Sequence, residues 1–309
     1  MTLTGEDRDL FARGLAHAVS AGDAVNVDRA LAELGWADAH EDDPRAAVSL
    51  LFEQQGQAGA TSSALSVVLA RALGVDAGVG VALPALGSTA PAGHRSSEHV
   101  DVDGLLLGAA DRLVVPLTDG VVLLDLADVS FDPVAGLDPR LGLQLVDGRV
   151  YEDVVPSRPW VDALAAGQVA LGHELVGASR AMLELARVHA LERIQFDQPI
   201  ARFQAVRHKL AESLVAIETA SSALDAAWDD GTPLGAGVAK AVAGRSARVV
   251  AKHSQQVLAG IGFTLEHPLH TYVRRVLTLD RLLGDAKSLT KAMGEDLLRT
   301  RRLPPMLPL

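Results

Sequence analysis

The sequence predicts a mostly helical protein with a small β domain between two helical blocks. Apolar residues recur at helical spacing up to about residue 75, and again from about residue 160 to the end of the chain. Between these blocks, short β-branched segments alternate with glycine-containing turns. Alanine and leucine are abundant and aromatic residues make up only 4%, a composition typical of closely packed helices.

Composition narrows the classes of function. The 309 residues carry a net charge of −11, which argues against a nucleic-acid or anionic-membrane surface. Charged residues interrupt every candidate membrane span, and the first ten residues are acidic and polar, unlike a signal peptide. The absence of cysteine excludes disulfides, thiol catalysis and thiolate metal sites. We therefore expect a cytoplasmic protein.

The N-terminal helical domain is expected to span residues 1–77. Its first helix carries an apolar face formed by Leu10, Phe11, Leu15 and Val19. Residues 24–34, 45–53 and 60–72 are expected to form three further helices. Asp43 followed by Pro44 is a start signal for the third helix, and Thr61, Ser62 or Ser63 is expected to cap the fourth.

A reduced antiparallel β domain is expected over residues 78–155. Predicted strands cover residues 79–83, 99–107, 112–117, 120–126 and 141–150, with a loop at 87–97. The Asp-Gly pairs at 103–104 and 147–148 are typical of hairpin turns.

A C-terminal bundle of four to five helices is expected over residues 156–309. The predicted helices cover residues 160–189, 203–229, 234–258, 268–281 and 287–302. Residues 236–243 lack charge on much of the helix circumference, which indicates a buried helix.

The corner between the first two bundle helices, residues 192–204, concentrates the side chains suited to a ligand. It holds a guanidinium, two amides and two rings: Arg193, Gln195, Phe196, Phe203 and Gln204. Such groups can grip a flat cofactor with an anionic tail. Taken alone, the pattern is more typical of an ordinary helix–turn–helix corner.

Three stretches resemble the acyl-CoA dehydrogenase family. R-I-Q-F-D-Q-P-I-A-R-F-Q, residues 193–204, is similar to the family pattern R-x-x-F-G-x-P-I-x-x-x-Q. Residues 255–275 look like the family's second flavin segment, Q-x-x-G-G-x-G-F-x-x-E, and residues 34–56 resemble its opening domain. The resemblance implies the fold of that family: an N-terminal helical domain, a β domain and a C-terminal four- to five-helix bundle.

The resemblance also implies a reaction and a cofactor. The family removes two hydrogens across the α,β bond of an acyl-CoA thioester, with FAD as hydride acceptor and a carboxylate as base. The five corner residues would contact the phosphate and adenine side of FAD. Gln256, Gly260 and Gly262 would approach the FAD of a neighbouring subunit, and Ala259 replaces one of the family's paired glycines.

The base is missing at both positions that the resemblance implies. Leu283 and Gly167 stand where family members carry a glutamate, and neither side chain can accept a proton. Glu174, two helical turns beyond Gly167, is a weak substitute and is more readily explained as a surface or ion-pairing carboxylate. Asp285 is expected to cap the last helix. The family's T-E-P-x-x-G-S-D and W-I-T-N motifs, which contact the flavin ring, are also absent.

These features resemble the short subunit of actinobacterial heteromeric α2β2 steroid acyl-CoA dehydrogenases. The implied partner is a larger acyl-CoA dehydrogenase subunit that carries the flavin ring site and the base. Two alternatives stay open: a self-sufficient homo-oligomeric dehydrogenase that uses Glu174, and a structural homologue without flavin. No metal site is expected, because a third ligand beside His267 and His270 is not evident. A cluster of Arg299, Arg301 and Arg302 could meet a CoA phosphate or simply complement a helix dipole.

Overall fold

Five helices open the computed structural model, which describes residues 5–76, 78–108, 110–136 and 138–301. They are α1 (Gly5–Val19), α2 (Ala24–Glu33), α3 (Trp36–Asp42), α4 (Pro44–Ala58) and α5 (Ala64–Leu73). The start signal of α4 is confirmed, because Pro44 occupies its first turn and the Asp43 carboxylate accepts the Ala46 N–H. The seven-residue α3 was not predicted, since two turns are too short to show a helical period.

Seven short strands follow, in two sheets. They are β1 (Gly80–Val81), β2 (Gly93–Arg95), β3 (Val100–Leu106), β4 (Arg112–Pro116), β5 (Val121–Asp125), β6 (Ser130–Pro133) and β7 (Gln144–Val150). One sheet has the order β1-β4-β5 and the other β2-β3-β7-β6. All of these pairs are antiparallel except β1 with β4. The two sheets enclose a small apolar core of their own, with Val102, Leu113 and Val146 among its members.

Both predicted hairpin turns are wrong. Gly104 lies inside β3 and Gly148 inside β7, where Gly104 pairs with Val146 and Val102 pairs with Gly148. A Cβ at Gly104 would lie 2.5 Å from the Leu83 carbonyl oxygen, so this glycine permits a close approach of the backbone. The segment 87–97, predicted as a loop, contains β2 and pairs with β3.

Five long helices form the C-terminal bundle, as predicted. They are α6 (Trp160–Glu192), α7 (Gln204–Asp230), α8 (Pro233–Leu258), α9 (Leu269–Arg281) and α10 (Ala286–Thr300). The 33-residue α6 runs through the centre and packs on α4, α5, α7, α8 and α9. Among the described residues, no helix is long and apolar enough to cross a membrane.

The helices α6 and α8 run in the same direction. Gly237, near the start of α8, lies beside Gln168, and near the end of α8 the Ser254 hydroxyl donates to the Met182 carbonyl 3.1 Å away. The segments that follow the two helices therefore meet at one end of the bundle.

The N-terminal helices and the bundle share one apolar core. α4 and α6 cross so closely at Gly56 and Gly177 that a Cβ at either position would overlap a carbonyl oxygen of the facing helix. Glycine is needed here for contact between the two backbones.

Candidate functional site

A tight hairpin forms the corner after α6. Its two-residue strands are β8 (Ile194–Gln195) and β9 (Gln198–Pro199), and the Ile200 N–H donates to the Arg193 carbonyl. Phe196 and Asp197 turn the chain with φ of 54° and 60°, the left-handed region that a two-residue turn requires. The Phe196 side chain at the tip is 86% exposed.

The corner side chains leave a cation and two rings available. The Phe196 and Phe203 rings meet edge to face with centroids 6.1 Å apart. Gln195 donates to the Ile194 carbonyl and the Gln204 amide contacts His208, both at the surface. Arg193 is exposed, and no carboxylate of the described residues pairs with its guanidinium.

The segment after α8 is a short 3₁₀ turn, Ala259–Phe263. Ala259 has φ 52° and ψ −133°, a conformation that suits glycine, which gives a physical reason for the family's glycine at this position. Gly260 is exposed with nothing within 4 Å of a built Cβ, whereas a Cβ at Gly262 would lie 2.9 Å from Leu258 Cβ. Gln256 is exposed, and Phe263 is 71% exposed.

The corner and this turn lie close together. Burial lowers the pKa of His189, just before the corner, and the nearby Arg193 charge lowers it further. Burial also lowers the pKa of His267, just after the turn, and the nearby His189 adds to that shift. His189 and His267, which flank the two predicted cofactor segments, are therefore near enough to interact electrostatically.

His267 and His270 organise the start of α9. His267 Nδ1 accepts the Leu269 N–H, and His270 Nδ1 donates to the His267 carbonyl 2.8 Å away. In the described part of the chain, no group of three or more His, Cys, Asp and Glu side chains could hold a metal ion.

The two positions of the missing base lie against each other. A Cβ at Gly167 would lie 2.5 Å from Leu283 Cδ1 and 2.8 Å from Leu69 Cδ2. Leu283 and Leu69 are fully buried, and Leu65 completes the apolar surroundings of Gly167. Leucine side chains thus fill the space beside Gly167, and the assignment of both positions to the family's base stays a prediction.

A buried lysine shapes the loop that carries Leu283. Leu283 and Gly284 have φ of 56° and 93°, and Lys240 Nζ donates to the carbonyls of Asp280 and Gly284. Burial lowers the pKa of Lys240 to about 8, against the raising effect of Asp280 and Asp285. The predicted cap is confirmed, since Asp285 accepts the N–H groups of Lys287 and Ser288 at the start of α10.

Glu174 lies in a buried ion network and not at the surface. Its side chain is 1% exposed, accepts from Gln55 Nε2 at 3.1 Å and pairs with Arg275 at 3.4 Å. Arg275 Nε also pairs with Asp138 Oδ2 at 2.5 Å. The ion-pairing part of our expectation is therefore right and the surface part is wrong. Burial raises the pKa of Glu174 to about 7, although Arg275 and Gln55 lower it.

This pKa predicts a pH dependence of stability. Between the ordinary value of 4.5 and about 7, folded Glu174 keeps a proton that the unfolded chain has lost. The free energy of unfolding should therefore fall as pH rises through this window and then level off. Glu174→Gln cannot titrate, so urea denaturation should show a smaller loss of stability for this variant between about pH 5 and pH 8. Equal losses in the two proteins would contradict this assignment.

The remaining candidates have structural roles. Arg299 pairs with Asp296 one turn earlier, and Arg301 ends α10 with φ 50°, while Arg302 lies outside the described residues. The loop after β1 lacks the family's T-E-P-x-x-G-S-D motif. There the Gly87 N–H donates to the Arg281 carbonyl, and the Thr89 carbonyl accepts from the Trp160 indole.

The described residues form a helical block, a small β region and a bundle of long helices, in the order that the resemblance implies. Residues 160–298 match the model of the acyl-CoA dehydrogenase C-terminal domain. The acyl-CoA dehydrogenase IpdE2 of Mycobacterium tuberculosis is 28% identical over 290 residues, covering 88% of this chain and 89% of the relative. FadE34 of the same organism is 36% identical over 194 residues, which are 59% of this chain and 27% of FadE34.

Two solved structures share the fold over nearly the whole chain. The ChsE4–ChsE5 complex of M. tuberculosis has a TM-score of 0.79 at 18% identity, covering 99% of this chain and 100% of that chain. The steroid ACAD Tcur3481–Tcur3483 has a TM-score of 0.77 at 21% identity, covering 97% and 99%. The predicted resemblance to acyl-CoA dehydrogenases is confirmed, over residues 160–298 by the domain model and over nearly the whole chain by the shared fold. The acyl-CoA dehydrogenases that the chain resembles are FAD-dependent oxidoreductases.

Proposed function

We propose that this chain is the base-lacking subunit of a heteromeric, FAD-dependent acyl-CoA dehydrogenase. A larger partner subunit would supply the base and the flavin ring site, and this chain would supply part of the cofactor's tail site. The observation that carries the proposal is the packing of Leu283 on Gly167 and Leu69, which leaves no acid at either base position. The heteromeric structures ChsE4–ChsE5 and Tcur3481–Tcur3483 support a partner, and the second of these, a steroid ACAD, supports a steroid-derived acyl group.

The corner fits the tail of FAD in the chemistry of its side chains. Arg193 offers an unpaired cation to a diphosphate, and the exposed Phe196 ring and the half-buried Phe203 ring offer apolar faces to an adenine. Gln195, Gln204 and Gln256 offer exposed amides, and Gly260 offers a backbone without a side chain. When bound, FAD supplies the hydride acceptor for oxidation of the acyl chain.

The self-sufficient dehydrogenase and the structural homologue without flavin differ from the proposed function in testable ways. A self-sufficient dehydrogenase would need it as a base, yet its carboxylate contacts Gln55 and Arg275 in the interior. We therefore expect Glu174→Gln to leave the turnover of the complex intact. A structural homologue would hold no flavin with or without a partner.

Expression alone and with a partner separates these functions. The chain purified by itself should be colourless, and it should yield a yellow complex when co-expressed with its partner, to be sought among the products of the neighbouring reading frames. Flavin and turnover from the isolated chain would support the self-sufficient enzyme. A colourless product in both cases would support the structural homologue.

Arg193→Ala tests whether this chain's corner takes part. Loss of charge-assisted hydrogen bonds worth about 1.5–3 kcal/mol should lower the flavin content of the co-expressed complex. Arg245→Ala is the matched control, because Arg245 is an exposed arginine on α8, three turns from the corner end. The absorption ratio of flavin to protein measures both variants, and equal ratios would exclude a contribution from the corner.

A further inference from the structure

A large cavity lies at the other end of the bundle and takes no part in the proposed function. Its volume is about 910 Å³, and it is an open cavity lined by α3, α4, α5, the start of α6, the end of α7 and the start of α8. From Val169, the cavity residue furthest along α6, to the corner at Glu192 is about 35 Å of helix. A cavity of this size falls in the range that takes a drug-sized ligand.

The cavity is separate from the missing base site. Ala165, Ala166 and Val169 face it from α6, whereas Gly167 faces Leu283 on the other side of that helix. On α5 the same division holds, since Val68 and Ala72 line the cavity and Leu69 lies against Gly167. The two helices therefore divide the cavity from the position of the family's base.

Small apolar side chains and one indole form most of the wall. They are Val48, Val68, Ala72, Val75, Ala165, Ala166, Val169, Ala227, Trp228 and Ala236. The short alanine and valine side chains leave space between the helices. The Trp228 ring is fixed in position because its indole N–H donates to His173. This lining favours an apolar ligand body.

The charged residues at the rim are mostly satisfied. Arg71 pairs with Glu41 at 3.6 Å and contacts His40, whose pKa burial lowers to about 4 with a further contribution from Arg71. Asp76 accepts the Gly78 N–H, and Asp162 lies in the first turn of α6, where the helix dipole favours a carboxylate.

Arg158 is the rim cation with an available charge. Its N–H donates to the Leu73 carbonyl, which fixes its backbone at the end of α5, and its side chain packs over Gly74. Among the described residues, no carboxylate pairs with its guanidinium. An anion at the cavity mouth would meet this charge.

We propose that this cavity binds an amphipathic carboxylate, an apolar body that carries one acid group. The body lies against the alanine and valine walls and Trp228, and the acid pairs with Arg158. The site is independent of the flavin site, so its ligand is bound whether or not the cofactor is present.

Calorimetric titration with dodecanoate and with the uncharged dodecanol tests both parts of the assignment. The purified chain, or its complex with the partner, should bind one dodecanoate per chain. Arg158→Ala should weaken dodecanoate binding about tenfold and leave dodecanol binding unchanged. Arg95→Ala, an exposed arginine on β2, is the matched control and should change neither.

Filling the cavity with a larger side chain should weaken the binding of both dodecanoate and dodecanol. Ala166→Phe places a ring in the cavity, and Ala72→Leu serves as a second, smaller filling if the first variant does not fold. Ala211→Phe, on the exposed face of α7, controls for an added ring. The proposal fails if neither probe binds saturably, or if the folded filling variants bind as the unchanged protein does. Equal dodecanoate affinity in Arg158→Ala overturns the role of the carboxylate.

Discussion

Arg275→Met is expected to lower the free energy of unfolding by about 3–5 kcal/mol, because it leaves buried carboxylates without their counter-charge. Arg275 is 3% exposed and pairs with Glu174 from α6 and Asp138 from the β region. It also donates to the Ala60 carbonyl and to the Thr61 hydroxyl in the loop before α5. One side chain thus joins three segments that are far apart in the sequence.

Urea denaturation followed by far-ultraviolet circular dichroism measures this effect. Arg274→Met is the matched control, since Arg274 is the exposed neighbour on the same helix, and its free energy of unfolding should change by less than about 0.5 kcal/mol. Similar midpoints for the two variants would show that the buried network contributes little.

Gly177→Ala is expected to destabilise the protein although it adds only one methyl group. A Cβ at residue 177 would overlap the Glu53 carbonyl, and one at Gly56 would overlap the Glu174 carbonyl, so the clash is with backbone that cannot move aside as a side chain can. Overpacking of this kind costs about 1–3 kcal/mol or more, which exceeds the gain in helix propensity from alanine.

Thermal melting of Gly177→Ala and Gly294→Ala makes the comparison. Gly294 lies inside α10 with nothing within 4 Å of a built Cβ, so alanine there should stabilise the protein by about 1 kcal/mol. Both glycines lie in the interior of a helix, yet the two substitutions should shift the melting temperature in opposite directions. A gain of stability at both would mean that α4 and α6 can separate without cost.

The long helices could be predicted from sequence because each shows several periods of apolar residues. The helices α6 to α10 begin and end within a few residues of the expected limits, and Asp43 and Asp285 cap as expected. The β region was less predictable. The Asp-Gly dipeptide that ends at Gly120 forms the turn between β4 and β5. The Asp-Gly dipeptide that ends at Gly104 lies inside β3, where close packing against a neighbouring backbone requires glycine.

Residues of the candidate site could be predicted only where a family motif could be aligned with the sequence. Leu283 and Gly167, the two positions at which the resemblance implies a glutamate, lie next to each other in the fold. The cofactor contacts of Arg193, Gln256 and their neighbours stay predictions. Arg275 and Lys240 were missed as buried charges, although a single lysine in the otherwise uncharged stretch 236–243 was a signal for the latter.

The loop at Leu283 has a consequence for how an enzyme of this kind can lose its chemistry. Lys240 donates to the carbonyls of Asp280 and Gly284, and Gln168 donates to the Leu283 carbonyl. These bonds go to the backbone, so the conformation of the loop does not depend on the side chain at residue 283. Under the proposed function, a change from glutamate to leucine at residue 283 therefore removes the base and leaves the backbone of the loop in place. Under that proposal, one such substitution is enough to leave proton abstraction to the partner subunit.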